Sequence, residues 1–312
     1  MRLLHAAAEL QPEGRPVCLA LGVFDGVHLG HQRVIGRTVD LARECGGLAV
    51  VTTFDRHPNA VVAPERLPRL LYTPVQRELH ISETGVDALL ELAFTRELSL
   101  LPAEAFIRSL AGALGGLHAI CVGAGFVFGH QRGGNLGVLA RLGAELGFQA
   151  HGLEPVISGG LPVSSTRIRE VVAAGSLDEA GRLLGRSYSL GGRVVAGDRL
   201  GRELGFPTAN LEAPGRLVPP AGVYAGWTLW EGRQIPVVLN IGHRPTLGQA
   251  GAPLRVEAHL LDFAGDLYGR DLEVQLSARL RDEQRFESLA SLREQIHRDV
   301  ASARRVLGSG SR

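Results

Sequence analysis

From the first residue to about residue 184, short apolar runs alternate with longer stretches of helical period. The runs at 17–24, 48–54, 86–92, 118–123 and 148–155 read as strands. Between them, 32–44, 74–83, 102–114 and 136–146 place apolar residues three and four apart, as one face of an amphipathic helix requires. Alternation of this size predicts a parallel sheet with helices on both faces and a ligand site at the carboxyl ends of the strands. The expected site is therefore the turn after residue 24. Two leucine-rich helices around Val171 and Leu183 lead to a domain boundary near Gly185, dividing the chain into 1–184 and 185–312.

Past Tyr188 the period changes. Short segments at 192–196, 222–230, 235–241, 254–261 and 272–280, separated by glycine and proline, predict an antiparallel sheet or small barrel. A charged helix at 288–306 follows, and the final GSGSR, 308–312, reads as a frayed tail. There is no internal repeat and no low-complexity segment.

Composition then narrows the chemistry. All 33 basic residues are arginine, against 32 acidic ones. Without lysine there is no Schiff base, no P-loop lysine and no protein-kinase strand lysine. Any phosphate must be held by arginine, histidine, backbone amides or a metal. A net charge of +1 argues against a nucleic-acid surface, which carries a clear basic excess. Glycine, at 41 of 312 residues, is about twice its usual share of roughly 7%. Cys18, Cys45 and Cys121 form no CxxC, and Cys18 and Cys121 lie in strand-like runs as buried thiols. The amino terminus is too weakly apolar for a signal peptide and no run reaches a membrane span, so a cytoplasmic protein without a membrane partner is expected. A homo-oligomer stays open.

The most informative stretch is Leu21-Gly22-Val23-Phe24-Asp25-Gly26-Val27-His28-Leu29-Gly30-His31. A strand ending at Phe24, a tight Asp25-Gly26 turn and a helix starting near His31 would turn the first free helix amides toward an anion. His28 and His31 can point at one polyphosphate, with Gly30 clearing its approach. The pattern HxGH resembles the signature of nucleotidyl transferases, whose chemistry is mostly positioning and charge stabilisation. A core histidine beside a helix-starting one is the plainer reading of those four residues alone. Farther on, Ser164-Ser165-Thr166-Arg167-Ile168-Arg169 offers hydroxyls and amides at another helix start, although a simple capping sequence looks the same.

In the second half, glycines at 197, 201 and 205 let backbone amides approach a polyphosphate while Arg202 supplies charge. Thr208 and Asn210 share one face of a strand and offer hard oxygen donors suited to Mg²⁺. Taken alone, this is also a turn-rich hairpin. Glu257 and His259 alternate on one strand face, where a carboxylate could take the proton of an alcohol attacking the γ-phosphorus of ATP; a surface salt bridge is the competing reading.

With these motifs in order along almost the whole chain, the sequence resembles bacterial bifunctional riboflavin kinase/FAD synthetases. Residues 21–35, Thr53-Phe54-Asp55-Arg56-His57-Pro58, Phe126-Val127-Phe128-Gly129 and 164–169 resemble the FMN adenylyltransferase module. The fold it implies is a Rossmann-like nucleotidyltransferase domain. The resemblance implies ATP contacts from Gly22, Phe24, Asp25, Gly26, His28, Gly30, His31, Ser165, Thr166 and Arg169. Phe54, His57, Pro58 and Phe128 would lie on the flavin side. The 197–210 loop, with residues 220–225, 240–246, 261–263 and 280–283, resembles the riboflavin kinase module, a six-stranded antiparallel barrel with a carboxy-terminal helix. There the resemblance implies ATP contacts at Gly197, Gly201, Arg202, Gly205, Thr208 and Asn210, Mg²⁺ on Thr208 and Asn210, Glu257 as base, and Arg281 and Phe286 near the flavin.

The implied reactions are riboflavin plus ATP to FMN and ADP, then FMN plus ATP to FAD and pyrophosphate. Two departures stand out: Gly125 where the family carries Asn or Asp, and Asn135 where it carries Asp. They keep a second reading alive, a riboflavin kinase with a weakened adenylyl half. A flavin-binding regulator without turnover is the reading from another class, which the complete set of His28, His31, Thr208, Asn210 and Glu257 speaks against.

Overall fold

A computed structural model describes residues 1–197, 201, 204–243 and 254–309. The chain packs as two compact units, Met1–Arg69 with Pro74–Ser165, and Leu70–Thr73 with Thr166–Arg312.

The first unit holds strands β1 (Arg2–Leu4), β2 (Val17–Leu21), β3 (Leu48–Phe54), β4 (Ala88–Leu92), β5 (Leu117–Gly123) and β6 (Gln149–Leu153), all parallel in the order β1-β4-β3-β2-β5-β6. Its main helices are α1 (Leu29–Glu44), α2 (Asn59–Val62), α3 (Pro74–Ser82), α4 (Arg96–Leu100), α5 (Ala103–Leu114) and α6 (Leu136–Leu146), and a short antiparallel pair, β7 (Ile157–Ser158) with β8 (Leu161–Pro162), follows β6. β2 is buried on both faces at every residue, which is why its sequence is an unbroken apolar run. Its side chains alternate between two cores. Leu19 and Leu21 pack with Ile107 and Leu139 on one face of the sheet, and Cys18 and Ala20 with Ile35, Val39 and Ile81 on the other. The chain builds outward from β2 through β3 to β4, then crosses back to place β5 on the other side of β2. The carboxyl end of β2 is thus the switch point where such sheets bind ligands. β1 escaped the pattern because three residues are too few to show alternation.

The second unit opens with α7 (Ser165–Ala173), whose first residue belongs to the first unit, and α8 (Leu177–Leu184). A closed barrel follows, built from β9 (Ser189–Val195), β10 (Ala209–Glu212), β11 (Gly222–Trp230), β12 (Arg233–His243), β13 (Leu254–Leu260) and β14 (Asp271–Arg281), in the order β10-β13-β12-β11-β14-β9. Val237, Leu239 and Ile241 of β12 and Val256, Ala258 and Leu260 of β13 are buried at alternate positions. The last helix, α9 (Leu289–Ser309), lays Ala303 and Leu307 on Val223, Ala225 and Val238. It runs into the expected tail, so Gly308 and Ser309 are helical instead of frayed.

By packing, the compact units divide at Ser165, and α8 packs on β14 within the second. Residues Leu70–Thr73 also belong to the second unit. Leu70 forms a parallel bridge with Arg216, and the buried Tyr188 hydroxyl donates to the Leu217 carbonyl at 2.7 Å. The Arg186 guanidinium lies 5.1 Å above the Tyr72 ring, and burial pushes the Tyr72 phenol up to about 12.

Candidate active sites

The turn after β2 is tighter than the sequence suggests. β2 stops at Leu21, and Phe24 and Val27 take left-handed φ values of 54° and 38°, with Gly26 at 87° between them. Non-glycine residues seldom hold this conformation, and it clusters at functional sites. Phe24 therefore does not extend the strand. Its ring folds back over Gly22, where a Cβ would sit 3.0 Å from the ring, and meets His31 edge-on at 5.2 Å.

His28 is buried and caps α1. Its Nδ1 accepts from the backbone amides of Gly30 at 3.1 Å and His31 at 3.3 Å. The expected free amides at this helix start are thus partly taken by the histidine itself. The capping geometry has a chemical result: with Nδ1 accepting, a neutral His28 carries its proton on Nε2 and presents a donor. The His28 and His31 rings stack at 3.6 Å and 18°. Gly30 makes that cap fit, since a Cβ there would lie 3.1 Å from the His28 ring.

Other predicted residues gather at the same edge. The Ser165 hydroxyl, still within the first unit, donates to the Asp25 carbonyl at 2.9 Å. Thr166 and Arg169 follow on α7, within the second unit. The Thr53 hydroxyl donates to the Val23 carbonyl at 3.0 Å, which seats the end of β3, and with it Phe54, His57 and Pro58, beside the β2 turn. Phe54 packs edge-on against Phe94 at 5.0 Å, and His57 Nδ1 accepts from the Asn59 amide at 3.1 Å. Burial alone would raise the Asp55 carboxyl, but hydrogen bonds from Arg56 and the Phe94 amide hold it below the usual carboxylate range. Phe128 stacks on Phe126 at 5.6 Å beyond β5.

One contributor was not singled out by its pattern. Arg77 is buried in α3, and its Nη2 donates to the Phe54 carbonyl at 2.8 Å and to Glu91 at 2.6 Å. A guanidinium can serve both acceptors in a fixed geometry, so this arginine anchors the segment at the end of β3. The two departures also differ in kind. Asn135 caps α6, its side-chain oxygen accepting from the Val138 amide at 3.1 Å, so a polar role survives there. Gly125 is exposed, and a Cβ there would meet nothing within 4 Å.

The second constellation is made by register. Asn210 of β10 faces Glu257 of β13, which faces Asn240 of β12, and all three are half-buried. Their neighbours Ala209, Val256, Ala258, Leu239 and Ile241 are buried, so the three polar residues share the outer face of the barrel wall. Gly197 and Gly201 lie against this region. A Cβ on Gly197 would collide with the Asn210 amide, and one on Gly201 would lie 3.1 Å from the Thr208 hydroxyl. Gly205 has φ 89°, which favours glycine. Arg202 lies outside the described residues. His259 Nδ1 pairs with the Pro207 carbonyl at 2.8 Å, holding the segment that carries Thr208. Asn240 escaped separate notice because its place beside Glu257 depends on a strand pairing that spacing alone does not reveal.

Beside Thr208 opens a cleft of about 300 Å³ whose lining includes Val194, Leu260, Phe263, Leu267 and Tyr268. Arg281 and Phe286 sit together at the base of α9, the guanidinium 5.7 Å from the ring. Arg281 also makes a bidentate ion pair with the buried Asp299, Nε to Oδ1 at 2.9 Å and Nη2 to Oδ2 at 2.8 Å. Part of its donor set therefore holds the helix to the barrel.

Comparison with known proteins agrees with both halves. The FAD synthetase family matches residues 10–167 and the riboflavin kinase family residues 184–307. A bifunctional riboflavin kinase/FMN adenylyltransferase from Pseudomonas fluorescens is 42% identical over 305 residues, covering 97% of each chain. That of Escherichia coli K12 is 38% identical, covering 99% of this chain and 97% of its own. That of Bacillus subtilis is 33% identical, covering 99% and 98%. A crystal structure named as a macrolide-efflux protein from Streptococcus pneumoniae superposes with a TM-score of 0.81 at 27% identity, over 97% of this chain and 99% of that one. No helix among the described residues is long and apolar enough to cross a membrane. With both families matched in order and full-length relatives at this identity, the chain belongs to the bifunctional riboflavin kinase/FMN adenylyltransferase family.

Proposed function

We propose that the chain makes FMN in its second half, residues 185–312, and converts it to FAD in its first, residues 1–184. The observation that carries this reading is that two separate polar constellations exist, the stacked His28 and His31 in one unit and the register-paired Asn210 and Glu257 in the other.

In the kinase half, Glu257 accepts the proton of the ribityl 5′-hydroxyl as its oxygen bonds to the γ-phosphorus and ADP leaves. Thr208 and Asn210 would hold Mg²⁺, which would supply charge neutralisation at the phosphates. The fit rests on their oxygen donors and on the glycine backbone at 197 and 201, whose missing side chains leave these donors accessible. Gly205 and Arg202 complete the loop around the nucleotide, and the cleft lined by Phe263 and Tyr268 suits a purine ring. Arg281 and Phe286 border the flavin.

In the adenylyl half, an oxygen of the FMN phosphate attacks the α-phosphorus of ATP and pyrophosphate departs. The Nε2–H of His28 and the stacked His31 stabilise charge on the phosphates, together with Ser165. The turn at Gly22, Phe24, Asp25, Gly26 and Gly30 shapes the nucleotide site, and Phe54, His57, Pro58 and Phe128 border the flavin. Both reactions consume ATP, which supports a cytoplasmic location and small molecules as substrates.

The test is a time course with riboflavin, ATP and Mg²⁺, followed by chromatography. FMN should appear first and FAD after it; absence of FMN removes the kinase assignment. FMN accumulating without FAD favours the weakened adenylyl half, a reading that now rests on Gly125 alone. Flavin binding with no ATP consumed would instead mark a regulator.

A further inference from the structure

The loop between β5 and α6 carries an arginine that no part of the reading above employs. Residues 129–134 form a tight excursion beyond the carboxyl end of β5. Phe128 and Gly134 close its base as an antiparallel bridge, with amide-to-carbonyl distances of 3.1 and 2.8 Å. The excursion is clamped from below. The His130 amide donates to the Leu101 carbonyl at 3.0 Å, and its ring Nδ1 pairs with the Ser99 carbonyl at 3.2 Å. Gly129 and Gly134 both press on Ala103 at the start of α5, where a Cβ on either would approach to 2.6 Å.

Within this braced loop, Gln131 and Arg132 are consecutive non-glycine residues at φ 51° and 59°. Two such residues in a row cost about 1–3 kcal/mol each and persist only where the surroundings enforce them. What the enforcement achieves is to turn Arg132 outward. It is exposed, and among the described residues its side chain makes no hydrogen bond, ion pair or ring contact. Arg37, Arg77, Arg108 and Arg141 of the same unit are all paired with carboxylates. β5 neighbours β2, so Arg132 stands at the same sheet edge as His28 and His31, where a lysine-free chain has only arginine for a fixed positive charge.

We infer that Arg132 is a substrate-phosphate ligand of the adenylyl step, a cation held ready on a strained loop. The inference deepens the proposed adenylyltransferase activity and rests on it. In that step a phosphorus–oxygen bond forms from FMN to the α-phosphorus of ATP, and the bond to the bridging oxygen breaks. Pyrophosphate leaves with the electron pair. The phosphate bound by Arg132 belongs either to ATP or to FMN, and steady-state kinetics separates them.

The experiment compares wild type, Arg132→Ala and Arg132→Lys in the full chain. Arg132→Ala should lower kcat/KM for FMN-to-FAD conversion by about 10²-fold, with Arg132→Lys recovering part of the loss. The melting temperature and the riboflavin-to-FMN rate should stay as in wild type. A rise confined to KM for ATP assigns the triphosphate; one confined to KM for FMN assigns the flavin phosphate. A kcat/KM within about threefold of wild type overturns the inference, as does a loss that tracks a lowered melting temperature or that Arg132→Lys leaves unrelieved. Wild type that makes no FAD from FMN would instead remove the adenylyltransferase reading itself.

Discussion

The parallel-sheet half draws its constellation from neighbours in sequence, the barrel half from residues far apart. His28 and His31 stack within one turn of α1, and the His28 ring also caps the helix through its Nδ1. Asn210, Glu257 and Asn240 meet only because three strands pair in one register. The first arrangement is built by local backbone geometry and depends on a single turn. The second depends on the whole wall, since a slip of one residue in any of the three strands would send its polar side chain to the interior. On the proposed roles, the same task of meeting a polyphosphate without lysine is given once to a motif and once to a sheet.

That contrast can be tested by removing one site while watching the other. Glu257→Gln keeps the shape of the side chain and removes the base, so FMN formation should fall by about 10²–10⁴-fold while added FMN is still converted to FAD. Equal loss of both activities would show that the sites are not separate. His28→Asn is the reciprocal test. Asparagine is a good cap, so α1 should keep its stability, yet the imidazole is gone and FAD synthesis should drop by about 10²–10³-fold with FMN accumulating. If melting falls together with FAD synthesis, the cap and the donor have not been separated.

A third variant probes what the register depends on. Asp299→Ala leaves the half-buried Arg281 without its carboxylate partner and should destabilise the barrel unit by about 3 kcal/mol, read in a denaturant melt by the loss of riboflavin phosphorylation. The opposite sign is expected for Gly125→Asp. The position is open and its φ lies outside the left-handed region, so one added charge-assisted contact, about 1.5 kcal/mol, should raise FAD synthesis about tenfold. Unchanged FAD synthesis would show that Gly125 costs the enzyme nothing. The smallest signal comes from the thiols, all of which lie in the first unit. Burial raises Cys18 to about 12 and pushes the buried Cys121 upward as well, so at pH 8 a thiol reagent should find Cys45 first. The other two should react only as this unit unfolds.

Legibility in the sequence followed the same divide. The apolar runs that become β2, β3 and β5 were readable because a strand buried on both faces must be apolar throughout, and α1, α5 and α6 because their apolar faces keep the helical period. The HxGH motif was visible for the same local reason. What the motif did not reveal was that His28 Nδ1 takes up amides expected to face a ligand, because capping depends on backbone angles that the letters do not encode. Asn240 and the anchoring role of Arg77 stayed hidden because both depend on partners distant in sequence. The boundary near Gly185 followed a change of period, whereas compactness follows packing, and α8 packs on β14.

The excursion of Leu70–Thr73 into the second unit has a consequence for anyone dividing the gene. The polypeptide passes between the two units three times, after residues 69, 73 and 165. A single cut, wherever it falls in the long linear sequence, therefore cannot yield two complete pieces. A fragment beginning at Thr166 would lack Leu70, Leu71 and Tyr72, leaving Leu217, Tyr188 and Arg186 without partners that residues from the first half supply. The enzyme is written as two consecutive modules and folded as two interleaved ones.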